Sequence, residues 1–152
     1  SSAKVIAFDI DENARNLCFE MAKANGVTDK VEIRSSCTAD DLEHFNFGKR
    51  SLIISDCEGY ELRLFTKDNI TNLRNCDVLI ETHDFINIHI TTYLEELFSA
   101  THKIEVVKSI DDIEKAKAYH FKETENLDLA AKRNLFAEVR PGVMEWLICT
   151  PK

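Results

Sequence analysis

Leu52-Ile53-Ile54-Ser55-Asp56 is a short apolar run that ends in an acid. A run of this length with no polar alternation is typical of a strand buried on both faces of a sheet. The residues that follow are polar and include a glycine, which can supply the backbone freedom of a tight turn. Together they predict a buried strand with a polar loop at its carboxyl end.

The same pattern of strand and then acid appears at residues 4–9 and 78–81, and amphipathic stretches separate the runs. Helices are predicted over residues 12–25, 62–73, 92–100, 111–118 and 127–136, and a capping box at 38–41 opens another short helix. Further strands are predicted over residues 31–34, 103–108 and 143–149. This alternation predicts an α/β fold with a mostly parallel sheet, in a single domain over residues 1–152.

Composition and charge exclude several classes of protein. The 152 residues carry a net charge of −8, and an acidic surface repels phosphate backbones, so nucleic acid is not an expected partner. No apolar run approaches the roughly 20 residues that cross a bilayer, and no signal peptide precedes Asp9, so no membrane association is expected. Five cysteines without a CxxC pair predict reduced thiols in a cytoplasmic protein.

The three acids that end the buried runs are Asp9, Asp56 and Glu81. Because ligands of open α/β sheets bind outside the carboxyl ends of the strands, we expect these acids to meet at one edge. A carboxylate there can accept hydrogen bonds from both hydroxyls of a ribose. The plainer alternative is that each acid caps the helix that follows it.

The stretch 54–62 contains D-x-E-G-x-E-L, formed by Asp56, Glu58, Gly59, Glu61 and Leu62. It resembles the signature that FkbM-like methyltransferases, a class I S-adenosylmethionine-dependent family, carry after their fourth strand. Residues 5–11, 79–83 and 140–148 are similar to the second, fifth and last strands of that fold. The resemblance implies a Rossmann-like, doubly wound sheet of strand order 3-2-1-4-5-7-6 with an antiparallel C-terminal strand.

Cofactor contacts follow from the resemblance by position. Asp9 would bind the ribose of S-adenosylmethionine, and Ile10 would lie against the adenine. Cys37 and Thr38 would stand at the adenine edge, although Cys37 replaces the acid that is usual there. Asp56 would lie near the methionine end of the cofactor and the transferred methyl group.

The remaining polar residues of these motifs are candidates for catalysis. Asp56, Glu58, Glu61, Glu81 and His83 would orient a substrate or accept its proton, and histidine is the natural base near neutral pH. The implied reaction is methyl transfer to a hydroxyl of a small molecule or sugar. The plainer interpretation makes His83 an exposed polar residue at a strand end.

A glycine-rich G-x-G-x-G loop should lie about 20 residues before Asp9 in such a family, but only eight residues precede Asp9 and no two glycines are paired as G-x-G. We therefore expect an N-terminally truncated domain, a fragment of a longer enzyme that is inactive by itself. The absent strand would be the central one. We expect the strands at 4–9 and 52–56 to pair directly, or a homodimer to exchange a strand, because a buried gap would leave backbone groups unsatisfied.

Two alternatives stay open. Asp9-Ile10-Asp11 resembles the D-x-D of haloacid-dehalogenase-like phosphatases, which bind magnesium, with Ser35 or Ser36 and Asp56 as further motif residues. A non-catalytic Rossmann-like module is the other. The methyltransferase interpretation assigns no metal ligand.

Overall fold

The computed structural model describes residues 3–138, 142 and 144–152. Its first unit is a parallel pair of strands, β1 (Val5–Phe8) and β2 (Val31–Arg34), joined by helix α1 (Glu12–Ala24). The Asp11 carboxylate accepts a hydrogen bond from the Asn13 backbone N–H and caps the start of α1. The helix is followed by Gly26, whose φ of 65° lies in the left-handed region. Both ends of α1 are as the sequence predicts.

The second unit is a four-stranded sheet in the order β3-β4-β6-β5. Its strands are β3 (Ser51–Ser55), β4 (Cys76–Thr82), β5 (His102–Lys108) and β6 (Glu145–Pro151). Strands β3 and β4 are parallel, and β6 is antiparallel to both β4 and β5. This confirms a mostly parallel α/β fold with an antiparallel C-terminal strand. The start of the predicted last strand, residues 140, 141 and 143, lies outside the described residues.

Helices and one 3₁₀ turn connect the strands. They are α2 (Ala39–His44), α3 (Glu61–Leu64), α4 (Ile70–Leu73), α5 (Ile90–Ser99), α6 (Asp112–Ala118), the 3₁₀ turn Lys122–Thr124 and α7 (Leu129–Phe136). The Thr38 side chain and Asp41 form the predicted capping box at α2. No helix of the described residues is long and apolar enough to cross a membrane.

The single helix predicted over 62–73 is wrong, because the chain forms α3 and α4 with a break between them. The break is organised by Asn69, which is fully buried. Its side-chain amide donates to the carbonyl oxygens of Leu64 at 2.7 Å and Ala39 at 3.2 Å, and its side-chain oxygen accepts from the Thr66 N–H at 3.1 Å. Asparagine competes in this way with the helical hydrogen bonds of the backbone.

The hydrophobic core packs the four-stranded sheet against α2, α3, α4 and α5. Its fully buried members include Phe65, Leu73, Ile80, Leu94, Phe98 and Leu147. All five cysteines lie within the described residues and all are free, and two of them, Cys76 and Cys149, belong to this core. The core therefore anchors β4, and Ile53 of the neighbouring β3 packs against it.

The expected direct pairing of β1 with β3 is wrong. Within the described residues β1 is hydrogen-bonded to β2 and β3 to β4, in two separate sheets. Val5 on β1 is 51% exposed, and Leu52 and Ile54 on β3 are 62% and 64% exposed. The burial on both faces predicted for the strand at 52–56 is therefore wrong, since β3 is an edge strand of its sheet. At an exposed edge water can satisfy the backbone groups, so the cost expected of a buried gap does not arise. Exchange of a strand between two copies stays a prediction.

The inward face predicted for α1 is only partly correct. Ala22 is buried, but Leu17 and Met21 of the same predicted face are 66% and 67% exposed. A two-stranded sheet offers α1 too little surface to cover that whole face. Helical periodicity therefore predicts where helix α1 forms, but it does not predict which of its side chains are buried.

Candidate functional site

The candidate site lies where β3 and β4 end side by side. Ser55 pairs with Ile80 in the parallel register, so Asp56 follows at the level of Glu81. His83 comes directly after β4. One ligand atom from each of Asp56, Glu81 and His83 lies within 4.8 Å of the other two. The structure thus brings these three residues together, with Glu81 inside β4 rather than after it.

His83 is the centre of this cluster. Its side chain is buried, with a residue exposure of 2%, so the interpretation of an exposed histidine at a strand end is wrong. Its Nδ1 lies 2.6 Å from Oε1 of Glu61. Its Nε2 lies 3.4 Å from Oδ1 of Asp56 and 3.4 Å from Oε2 of Glu58. Three carboxylates of the predicted motif therefore surround one imidazole ring.

Glu61 is fully buried at the start of α3 and holds the ring in place. Its Oε1 also accepts a hydrogen bond from the Gly59 N–H at 3.2 Å, while its Oε2 has no hydrogen-bond partner in the described residues. A carboxylate taken out of water is costly unless it is paired, so the contact with His83 is the interaction that makes this burial possible. Glu61 is better placed to orient His83 than to contact a substrate.

A tight turn over residues 57–60 presents Glu58 to His83. The Tyr60 N–H donates to the Cys57 carbonyl at 3.1 Å, and φ is 52° at Glu58 and 94° at Gly59. Positive φ at both central residues is the requirement of a type I′ turn, and it is unusual for a residue such as Glu58. Gly59 is further constrained, because a Cβ there would lie 3.0 Å from Cδ1 of Ile86. The turn predicted at Gly59 is present, and it also positions an acid.

Sequence reasoning gave no role to three neighbours of the cluster. Phe85 stacks edge-on against His83, with ring centroids 5.8 Å apart, and Ile86 covers Gly59. The pKa of the Cys57 thiol is raised to about 11, chiefly by burial and in part by the nearby Glu61 carboxylate, while a hydrogen bond with Ser55 offsets part of the rise. The sequence signal for Phe85 and Ile86 is that they are apolar residues shortly after the acid and histidine at residues 81–83. In the structure both side chains are exposed.

The predicted cofactor residues outside this cluster lie on the first unit and on α2. Asp9 follows β1 and its Oδ1 accepts from the Asp11 N–H at 2.8 Å, and Ile10 is 87% exposed. The Thr38 hydroxyl is 2.7 Å from Oδ2 of Asp41, so it serves the capping box. Burial raises the pKa of Cys37 to about 11, and Asp41 adds to the rise. The meeting of Asp9 with the other two acids stays a prediction, since β1 and β3 share no ladder.

The comparison with solved structures finds proteins of similar fold. No protein-family model matches this chain. No curated protein matches it either. A Corynebacterium diphtheriae structure, named for a precorrin-6Y C5,15-methyltransferase targeted domain, has a TM-score of 0.54 at 12% identity, over 98% of this chain and 74% of that chain. The MccD protein has a TM-score of 0.50 at 12% identity, over 100% of this chain and 82% of that chain. Geranyl diphosphate methyltransferase in complex with SAM has a TM-score of 0.49 at 14% identity, over 98% and 68%.

The chain has a Rossmann-like α/β fold, similar to that of the Corynebacterium diphtheriae structure. At these identities the likeness concerns the fold alone, and the FkbM-like family stays a prediction. Within this fold the cluster of His83 lies at the carboxyl ends of parallel strands, which is where open α/β sheets bind ligands. The phosphatase alternative would need a flap between the first strand and the helix that follows it. It fits less well, because α1 begins at Glu12 with Asp11 as its cap and leaves no room for a flap.

Proposed function

We propose that this chain carries the active site of an S-adenosylmethionine-dependent O-methyltransferase that acts on a hydroxyl of a small molecule or sugar. The observation that supports this most is the position of His83, which is buried and flanked by Asp56 and Glu58 at 3.4 Å, at the ligand-binding edge of a Rossmann-like sheet. A buried, oriented histidine at such an edge fits a general base better than a structural residue.

The chemistry needs a base at this point. The hydroxyl oxygen of the substrate forms a bond to the methyl carbon as the carbon–sulfur bond of the sulfonium breaks, and the hydroxyl proton must leave. A carboxylate oxygen accepts a hydrogen bond, so we assign the ring proton to Nδ1 of His83, which donates a hydrogen bond to Oε1 of Glu61. Nε2 then carries the lone pair that accepts the substrate proton. Glu61 fixes the tautomer, and the charge of Glu61 stabilises the imidazolium that forms.

The surroundings of His83 favour a substrate with an apolar or ring face. Tyr60, Phe85 and Ile86 are 38%, 53% and 52% exposed, although their side chains are apolar or largely so. Phe85 contacts the His83 ring and Ile86 contacts the turn at Gly59. A wall of this kind beside a polar cluster is the usual composition of a small-molecule site.

The cofactor residues fit in part. Asp9 is exposed at the end of β1 and can hold a ribose, and Ile10 offers an apolar surface to an adenine. Thr38 fits less well because its hydroxyl is engaged with Asp41. The four glycines of the sequence form no G-x-G pair, so the methionine end of the cofactor needs binding groups other than a glycine-rich loop of this chain.

The test uses the protein that carries this chain, S-adenosylmethionine with a labelled methyl group, and a panel of hydroxylated sugars and phenols. In His83→Gln we expect kcat to fall about 100- to 10,000-fold at an unchanged KM, with loss of the acidic limb of the pH profile. His89→Gln, a change at an exposed histidine at the start of α5, is the matched control and should leave kcat unchanged. Full activity of His83→Gln, or no methyl transfer to any hydroxyl, would overturn the proposal.

A further inference from the structure

We infer that Asp56, Glu81 and His83 bind a divalent first-row transition-metal ion. Ligand atoms of these three residues lie within 4.8 Å of one another. The set combines the ends of two neighbouring strands, β3 and β4, so it is assembled by the fold rather than by one local motif. Metal binding here does not depend on the proposed methyl transfer.

The distances fit metal ligands better than they fit hydrogen bonds. Nε2 of His83 lies 3.4 Å from Oδ1 of Asp56 and 3.4 Å from Oε2 of Glu58. A charge-assisted N–H···O hydrogen bond would be about 2.7–2.9 Å long. Two atoms bound tetrahedrally at about 2.1 Å from a zinc ion lie about 3.4 Å apart. The separation of Nε2 of His83 from Oδ1 of Asp56 therefore matches that of two atoms bound to one metal ion.

The orientation of His83 is the second, independent observation. Its Nδ1 is 2.6 Å from Oε1 of the fully buried Glu61, the contact by which a metal-bound histidine is commonly held through its other ring nitrogen. With the proton on Nδ1, Nε2 has none to donate. A nitrogen lone pair and two carboxylate oxygens then face one another, and a cation is what would make that arrangement favourable.

The mixture of ligands selects the type of ion. Imidazole suits zinc and iron, whereas carboxylates suit manganese, magnesium and calcium. One buried imidazole with two carboxylates favours Mn²⁺, Fe²⁺ or Zn²⁺ over Mg²⁺ and Ca²⁺, which prefer oxygen alone. An ion at this place would occupy the Nε2 lone pair of His83, so in the metal-bound protein His83 would be a ligand rather than the base. The ion would instead lower the pKa of a coordinated hydroxyl.

Direct binding tests the inference without cofactor or acceptor. Protein stripped with EDTA is titrated with MnCl₂, ZnCl₂ and MgCl₂ by calorimetry, and Mn²⁺ binding is followed by electron paramagnetic resonance. We expect one Mn²⁺ or Zn²⁺ per chain and much weaker binding of Mg²⁺. Asp56→Asn and His83→Gln should weaken Mn²⁺ and Zn²⁺ at least tenfold, and Glu61→Gln, which changes only the support of His83, about 10- to 100-fold.

The chain offers a matched control in Asp40, Glu43 and His44, a second cluster of two acids and a histidine that is entirely exposed. His44→Gln should leave the site unchanged. Because His83 is buried and its replacement can disturb folding, the half-exposed Asp56 provides the decisive variant, checked by circular dichroism. Binding no tighter than millimolar, equal loss in His44→Gln, or full binding in folded Asp56→Asn would each overturn the inference. Full binding in folded Asp56→Asn would mean that Asp56 is not a ligand, and equal loss in His44→Gln would mean that the ions bind without preference for this cluster.

Discussion

Replacing Gly59 with alanine tests whether the turn that carries Glu58 has a conformation that only glycine tolerates. Gly59 has a φ of 94°, and a Cβ there would lie 3.0 Å from Cδ1 and 3.1 Å from Cγ2 of Ile86. An L-residue in the left-handed region costs about 1–2 kcal/mol. Crowding of a packed side chain costs about 1–3 kcal/mol more, and Ile86 is half exposed and can move towards solvent, so the lower end applies.

We therefore expect Gly59→Ala to lower the free energy of unfolding by about 2–3 kcal/mol. The assay is urea denaturation at 25 °C followed by circular dichroism. Gly26→Ala is the matched control, because Gly26 has a φ of 65° and a Cβ there would meet nothing within 4 Å. It should show the backbone cost alone, about 1–2 kcal/mol.

The double variant Gly59→Ala/Ile86→Ala separates the two costs. Measured against Ile86→Ala, the alanine at Gly59 should cost no more than the alanine at Gly26, since the crowding is gone. If Gly59→Ala is no more destabilising than Gly26→Ala in the native background, Ile86 does not confine the turn. If neither change is destabilising, the positive φ angles themselves are refuted.

Two further predictions concern the cofactor and the thiols. Asp9→Ala should weaken the binding of S-adenosylmethionine about 10- to 100-fold, because a charge-assisted contact with the ribose is lost. The Kd is measured by calorimetry. An unchanged Kd would mean that Asp9 only accepts the local hydrogen bond from the Asp11 N–H. Burial raises the pKa of Cys57 from 9.0 to about 11 and that of Cys149 to about 12, so at pH 8 their thiolates are about 100-fold and 1,000-fold scarcer than in the unfolded chain. The rate of alkylation by iodoacetamide, followed by mass spectrometry, should be lower by these factors in the native protein than in the denatured protein. In the native protein the rate should rise about tenfold for each unit of pH. Labelling of the native protein at the denatured rate would contradict the burial.

The sequence by itself determined the local features of this protein. The strand at β3 and the acid after it, the capping box of Thr38 with Asp41, and the start of α1 at Asp11 follow from neighbouring residues, whose hydrogen bonds form within one turn of chain. The order of strands in each sheet also agrees with the order that the family resemblance implies. The strand-end pattern likewise singled out Asp56 and Glu81, because acids at strand ends stand out against apolar runs. Glu58, Glu61 and His83 were singled out by the resemblance to the FkbM-like motifs.

Only the tertiary structure decided what those residues do to one another. The contact of His83 with Glu61 joins positions 22 residues apart, and the burial of both depends on β4, α3 and the core beneath them. Helix periodicity missed the break at Asn69, because the amide there bonds to Ala39, 30 residues away. The separation of the two sheets was equally beyond local patterns, since the exposure of a strand edge depends on which other strands reach it. Burial and long-range pairing are properties of the packed chain, and they bring acids that are separate in the sequence together around His83.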